Sequence, residues 1–175
     1  MRAFVVLLLA VAAPCFAQTA ETYRRAAIEL SREQSWDEAI ANYRKALELE
    51  PNDALTHYNL ALALKYKGDA RQAVDEFGAA LRLKPKWADA HYGLGAAWYD
   101  LHDQSAALKE LRAAVGLDPR NAAAHRLLAR VYLEQKKPEL ARAEVEKAVK
   151  IAPNYTEAKE LLEHLQNTKP TGGAQ

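Results

Sequence analysis

The sequence predicts an all-α solenoid of four helix-turn-helix units with a C-terminal capping helix. Three observations carry that reading. Pro51, Pro85, Pro119 and Pro153 stand 34 residues apart, three times running. Ala39, Ala73, Ala107 and Ala141 keep the same period, and so do Ala46, Ala80, Ala114 and Ala148. Between the alanine columns lie Tyr43, Phe77, Leu111 and Val145, always apolar and large or branched. A fixed period of this length means one structural unit used four times. Stacked units form an extended surface suited to binding.

The columns explain the unit. Seven residues are about two helical turns, so the paired alanines share one face. Upstream, Ala27, Ala61, Gly95 and Ala129 are small, and three residues later Leu30, Leu64, Trp98 and Tyr132 are large. Small side chains let two helix backbones approach, and large neighbours fill the remaining volume. Each unit therefore reads as two antiparallel helices. The proline cannot continue the second helix and marks its exit turn.

Taken in order, helices are expected at 20–33 and 37–49, 54–66 and 70–83, 88–101 and 104–117, 122–135 and 138–151. Asp53 and Asn121 suit the N-cap, where a short acceptor side chain meets a free amide. Pro138 suits a first helical turn, where its missing N–H is harmless. A ninth helix at 156–167 has Ala158, Leu161, Leu162 and Leu165 on one side. Glu157, Lys159, Glu160, Glu163 and Gln166 make its other side polar, as a terminal cap requires. The tail 168–175 has no large apolar residue and is expected to be disordered.

Asp37-Glu38-Ala39-Ile40, followed by Tyr43-Arg44-Lys45-Ala46-Leu47-Glu48-Leu49-Glu50-Pro51-Asn52, closely resembles a tetratricopeptide repeat. The resemblance covers residues 20–155. It implies a right-handed superhelical solenoid spanning 18–167, with repeats at about 20–53, 54–87, 88–121 and 122–155. Two departures bear on local stability. The family's usual aromatic near the start of the first helix is Tyr23, then His57, His91 and His125. Its inter-helix glycine survives as Gly68, with Gln34, His102 and Lys136 in the other repeats.

Residues 1–17 read as a cleaved secretory signal. Arg2 gives a positive start, Ala3 to Ala13 an apolar run of eleven, and Cys15-Phe16-Ala17 a small-x-small site before Gln18. Two alternatives stay open, an uncleaved anchor and a lipoprotein acylated on Cys15, although Pro14 fits a lipoprotein site poorly. The expected location is exported, periplasmic or secreted, with no membrane span after signal removal. Cys15 is the single cysteine, so a chain starting at Gln18 has none and is stable without disulfides. Losing Arg2 from 24 Lys and Arg leaves 23 against 23 Asp and Glu, with both signs interspersed. Nucleic-acid binders usually carry a basic excess on one face, so that partner is not expected.

No catalytic pattern stands out. The sequence lacks a glycine-rich phosphate loop, HExxH and G-x-S-x-G. Asp37-Glu38 and Asp75-Glu76 read as solvated helix residues. The histidines His57, His91 and His125 recur at the repeat period. Equivalent positions in stacked repeats lie on the order of 10 Å apart, too far to share an ion bound at about 2 Å. They read as structural. No enzyme activity, cofactor or metal is expected.

The resemblance implies that the first helix of each repeat lines a concave groove. Its inner columns are Glu21, Leu55, Asp89, Ala123; Arg24, Tyr58, Tyr92, Arg126; Ile28, Leu62, Ala96, Arg130; and Ser31, Lys65, Tyr99, Leu133. The candidate partner-binding residues are Arg24, Ile28, Leu55, Tyr58, Leu62, Lys65, Tyr92, Tyr99, Arg126 and Arg130. Tyrosine and arginine are the types most enriched at interface hot spots. Some members grip a peptide carboxylate with Lys and Asn in the first repeat, Asn in the second, and Lys and Arg in the third. Here those places hold Arg24 and Ile28, Asn59, then Asp89 and Gly93, so that clamp is not expected. The function expected is non-catalytic binding of a partner's peptide or helix, in envelope or secretion-complex assembly. The alternatives are a self-assembling structural module and an accessory subunit of an exported enzyme.

Overall fold

A computed structural model describes residues 19–167. The signal reading of 1–17, the start at Gln18 and the disordered tail at 168–175 lie outside the described residues. Four antiparallel helix pairs follow one another: α1 (Ala20–Arg32) with α2 (Trp36–Leu49), α3 (Ala54–Lys67) with α4 (Ala70–Leu83), α5 (Ala88–Asp100) with α6 (Gln104–Leu117), and α7 (Ala122–Glu134) with α8 (Pro138–Ile151). The helix α9 (Thr156–Asn167) closes the stack against α8. These bounds differ by at most one residue from those expected. Each helix packs on its neighbours in sequence, while α3 also touches α5 and α5 touches α7. The protein is an all-α helical repeat solenoid.

The alanine columns form the seam. Ala39, Ala73, Ala107 and Ala141 are wholly buried, and Ala46, Ala80, Ala114 and Ala148 almost so. Phe77, Leu111 and Val145 fill the space between them. Close packing is most extreme at Gly93 and Gly95 of α5. A Cβ on Gly93 would lie 2.5 Å from the Phe77 ring, and one on Gly95 would lie 2.8 Å from Leu111 Cγ.

The helix ends follow from local chemistry. Asp53 and Asn121 accept from the Leu55 and Ala124 amides, as expected. Thr19 and Asp103 cap α1 and α6 in the same way. Pro138 occupies the first turn of α8. Every first helix ends in one turn form. An amide two or three residues past the helix returns to the carbonyl five earlier: Ser35 to Leu30, Asp69 to Leu64, Asp103 to Trp98 and Lys137 to Tyr132. That loop needs a left-handed residue. Gly68 supplies it at φ 96°, while Gln34, His102 and Lys136 adopt φ of 60°, 60° and 58°. The missing glycines thus leave the turn intact and load it with strain.

Polar staples repeat at the same period. His57, His91 and His125 each hold a glutamate of the following helix through Nδ1: Glu76 at 2.6 Å, Glu110 at 2.7 Å and Glu144 at 2.6 Å. Their Nε2 atoms face the carbonyls of Pro51, Pro85 and Pro119 at 2.9, 3.1 and 3.1 Å. This corrects the reading of Glu76 as a solvated helix residue. It is half-buried and engaged.

Candidate partner-binding groove

The first helices α1, α3, α5 and α7 present the ten candidate residues, none of which is fully buried. Ala96 is the exception among the expected inner positions, being 7% exposed and part of the core. Two ladders of contacts link one repeat to the next across this face. In the first, a residue pairs with one 29 positions later. Arg24 Nη1 meets Asp53 Oδ2 at 3.2 Å, the Tyr58 ring lies 4.6 Å from Trp87, and Arg126 Nε donates to Tyr155 Oη at 2.6 Å. In the second, the step is 35. Lys65 Nζ meets Asp100 Oδ2 at 3.1 Å, and Tyr99 donates its hydroxyl to Glu134.

The ladders divide the cations into two kinds. Arg24 is gripped by Glu21, Glu50 and Asp53 together, and Lys65 by Asp100. Arg126 and Arg130 instead lie on aromatic faces. Arg126 stands 5.3 Å from the Tyr155 centroid and Arg130 4.9 Å from that of Tyr99. Among the described residues neither has a carboxylate partner within ion-pair distance. A guanidinium on a ring keeps its outward N–H groups available for a further acceptor.

The apolar end lies over the first two repeats. Ile28 and Leu62 line a cleft of about 400 Å³ with Asn59, Tyr66 and Trp36. Tyr66 stacks on Trp36 at 5.2 Å and 17° and is itself 66% exposed. Leu55, at the start of α3, is half exposed beside Arg24 and lies away from this cleft. Tyr92 sits midway. Burial pushes the phenols of Tyr58, Tyr92 and Tyr99 above the usual tyrosine range, so all three stay neutral donors at pH 7. The structure therefore brings the candidates together as an apolar cleft, a tyrosine centre and a cationic shelf.

Four contributors had not been named as groove residues. Tyr66 completes the stripe Tyr58, Leu62, Tyr66 at four-residue steps, a signal present in the sequence. Trp87 and Tyr155 stand in the same 34-residue column as Asp53 and Asn121. Aromatic side chains in a column otherwise made of N-caps mark positions that reach across to the preceding repeat. Trp36 has no periodic counterpart, and nothing local betrays its role.

Family models for tetratricopeptide repeats match residues 29–68, 58–105 and 99–165, which together run from α1 into α9. The chain belongs to the tetratricopeptide repeat family. Solved structures agree. A crystal structure of MamA protein is 25% identical, covers 86% of this chain and 82% of its own, and superposes with a TM-score of 0.79. MamA 41-end from Desulfovibrio magneticus RS-1 is 28% identical over 85% of this chain and 84% of its own, with a TM-score of 0.79. The first tetratricopeptide domain of Spaghetti (RPAP3), solved with an HSP90 peptide SRMEEVD, is 23% identical over 68% of this chain and 94% of its own, at a TM-score of 0.66. That last likeness is one of fold. No curated protein matches the sequence. Among the described residues no cluster of three or more potential metal ligands occurs, and no helix is long and apolar enough to cross a membrane.

Proposed function

We propose that the protein is a non-catalytic scaffold. Its inner face holds a segment of a partner protein, and it works outside the cytoplasm in assembling an envelope or secretion complex. The observation that carries this is the solvent-open run of aromatic side chains on α3 and α5, continued by Arg126 and Arg130 on α7. A hot spot needs large, rigid, amphipathic side chains held in place before the partner arrives, and the two ladders hold Tyr58, Tyr99 and Arg126 in this way. The export half of the proposal rests on the signal-type pattern at 1–17.

The test uses a partner captured from an envelope extract and then purified. Tyr92→Ala is expected to weaken its binding at least about thirtyfold, as loss of a hot-spot side chain does. Glu146→Lys, on the outer helix α8, is expected to change nothing. Equal behaviour of the two in titration calorimetry would overturn the groove and favour end-to-end assembly. Mass spectrometry of the exported protein is expected to find an amino terminus at or near Gln18. A full-length Met1 species or an acylated Cys15 would overturn that part.

A further inference from the structure

We infer that the groove selects an extended acidic segment carrying one bulky apolar anchor, with about six residues between the anchor and the first carboxylate. This rests on the groove being the binding site. It deepens that reading by giving the partner's chemistry and spacing.

Three features of the inner face point to it. The first is the cleft beside Ile28, Leu62 and Tyr66, a volume of about 400 Å³ walled mainly by apolar atoms. It fits one large side chain such as Leu, Phe or Trp. Asn59 stands on its wall, and its side chain makes no hydrogen bond among the described residues. A primary amide there can donate to and accept from one backbone peptide unit, which favours a protein segment over an acyl chain.

The second is charge. Of the four candidate cations, Arg24 and Lys65 are held by carboxylates of this chain. Arg126 and Arg130 are held by the tyrosines Tyr155 and Tyr99, with no carboxylate among the described residues at ion-pair distance, and are the two left to meet an incoming anion. Glu134 lies one turn beyond Arg130, but its carboxylate turns to the Tyr99 hydroxyl and to Gln104 Nε2 at 3.1 Å, outside ion-pair distance of Arg130. The positive shelf is thus confined to α7, at one end of the groove.

The third is the column that joins them. Ile28, Leu62, Ala96 and Arg130 occupy equivalent positions in successive repeats. At Ala96 the side chain is a methyl held within the core, so between cleft and shelf this column raises no side chain across the line of a backbone. Two repeat steps separate Leu62 from Arg130, roughly 20 Å at about 10 Å per packed helix. An extended chain covers that in about six residues at about 3.3 Å each, whereas a helix needs about thirteen at 1.5 Å. A helix along this line would also meet the Tyr92 and Tyr99 rings flanking the path.

The probes are fluorescent peptides in a Gly/Ser background, read by anisotropy with residues 18–175. One set places Phe six residues before a Glu pair, and a second places it six residues after, because either chain direction is compatible. Controls replace Phe with Ala, Glu with Gln, or shorten the spacer to two. One of the two full peptides is expected to bind at least about tenfold better than each of its controls. Its affinity is expected to fall as salt rises from 50 to 500 mM, since exposed charges are screened. Arg126→Gln/Arg130→Gln together are expected to abolish the preference for Glu over Gln, and Leu62→Ala the preference for Phe. Circular dichroism excludes unfolding of the variants, and the salt dependence of the unaltered protein needs no variant. Equal binding of Glu and Gln peptides, or indifference to spacer length, overturns the inference. The captured partner separates the two levels. If Tyr92→Ala weakens it and the arginine pair does not matter, the groove stands and the acidic segment falls. If neither matters, the groove itself falls.

Discussion

His91 Nδ1 lies 2.7 Å from Glu110 Oε2, and Glu110 is only 8% exposed. The other ring nitrogen faces the Pro85 carbonyl, so one side chain ties α5 to both α6 and the preceding turn.

Cutting this staple leaves the buried Glu110 carboxylate with exposed Lys109, 3.3 Å from its other oxygen, as the remaining partner. His91→Ala is expected to lower stability by about 1–3 kcal/mol, the cost of a buried polar group losing its partner. Replacing both residues, as His91→Phe with Glu110→Leu, is expected to recover much of that loss, because an apolar pair leaves no buried charge behind and the exposed Pro85 carbonyl can turn to water. Urea melts of the two singles and the double close the cycle. Strictly additive changes would show that the contact contributes nothing.

Glycine exchanged in opposite directions is expected to give opposite signs. His102 sits at φ 60°, a conformation that strains any residue with a Cβ. His102→Gly is expected to raise stability by about 0.5–1 kcal/mol, after the greater freedom of glycine in the unfolded chain is subtracted. Gly93→Ala drives a methyl to 2.5 Å from the Phe77 ring, which has no room to retreat. Overpacking there is expected to cost about 1–3 kcal/mol. Thermal melts of the pair check both. A stabilising Gly93→Ala would refute the seam.

Acid is expected to loosen the fold through Asp53 and Glu144. Burial pushes the Asp53 carboxyl up, but the Thr56 hydroxyl, the Leu55 amide and Arg24 outweigh it and hold it below the usual range. Burial likewise raises Glu144, while Lys147 and His125 bring it below. A carboxyl depressed in the folded state binds its proton more readily when unfolded. Its contribution is full above the unfolded values, about 3.9 for Asp and 4.3 for Glu, and is lost as pH falls through the folded ones. Melting temperature is expected to drop below about pH 4, and less steeply in Asp53→Asn/Glu144→Gln. An identical slope in that variant would remove these two groups from the account.

The repeat was legible because packing imposes size at every period. Ala73 or Ala107 admits nothing larger, and the requirement recurs 34 residues on. The staples were harder to see. His57 and Glu76 are 19 residues apart on different helices, and repeat one breaks the column with Tyr23 and Asn42. The groove lay between these cases. Tyr58, Tyr92 and Tyr99 follow from helical geometry, since the inner face of α3 and α5 recurs along each helix. The division of cations into gripped and available does not, because it depends on whether a carboxylate 29 or 35 residues away turns toward each one. Arg24 and Arg126 occupy the same column, yet Arg24 meets Glu21, Glu50 and Asp53 where Arg126 meets Tyr155.

The buried side chains form two clusters, one over α1–α5 and one over α5–α9, and the Trp98 indole packs against both. Tyr58 belongs to the first cluster, Tyr92 and Tyr99 to the second. A guest lying from Leu62 to Arg130 crosses that seam and adds a second strap beside the indole. Binding there would join the two clusters through the guest as well as through the indole, and the sign of it would be slower amide hydrogen exchange in α5.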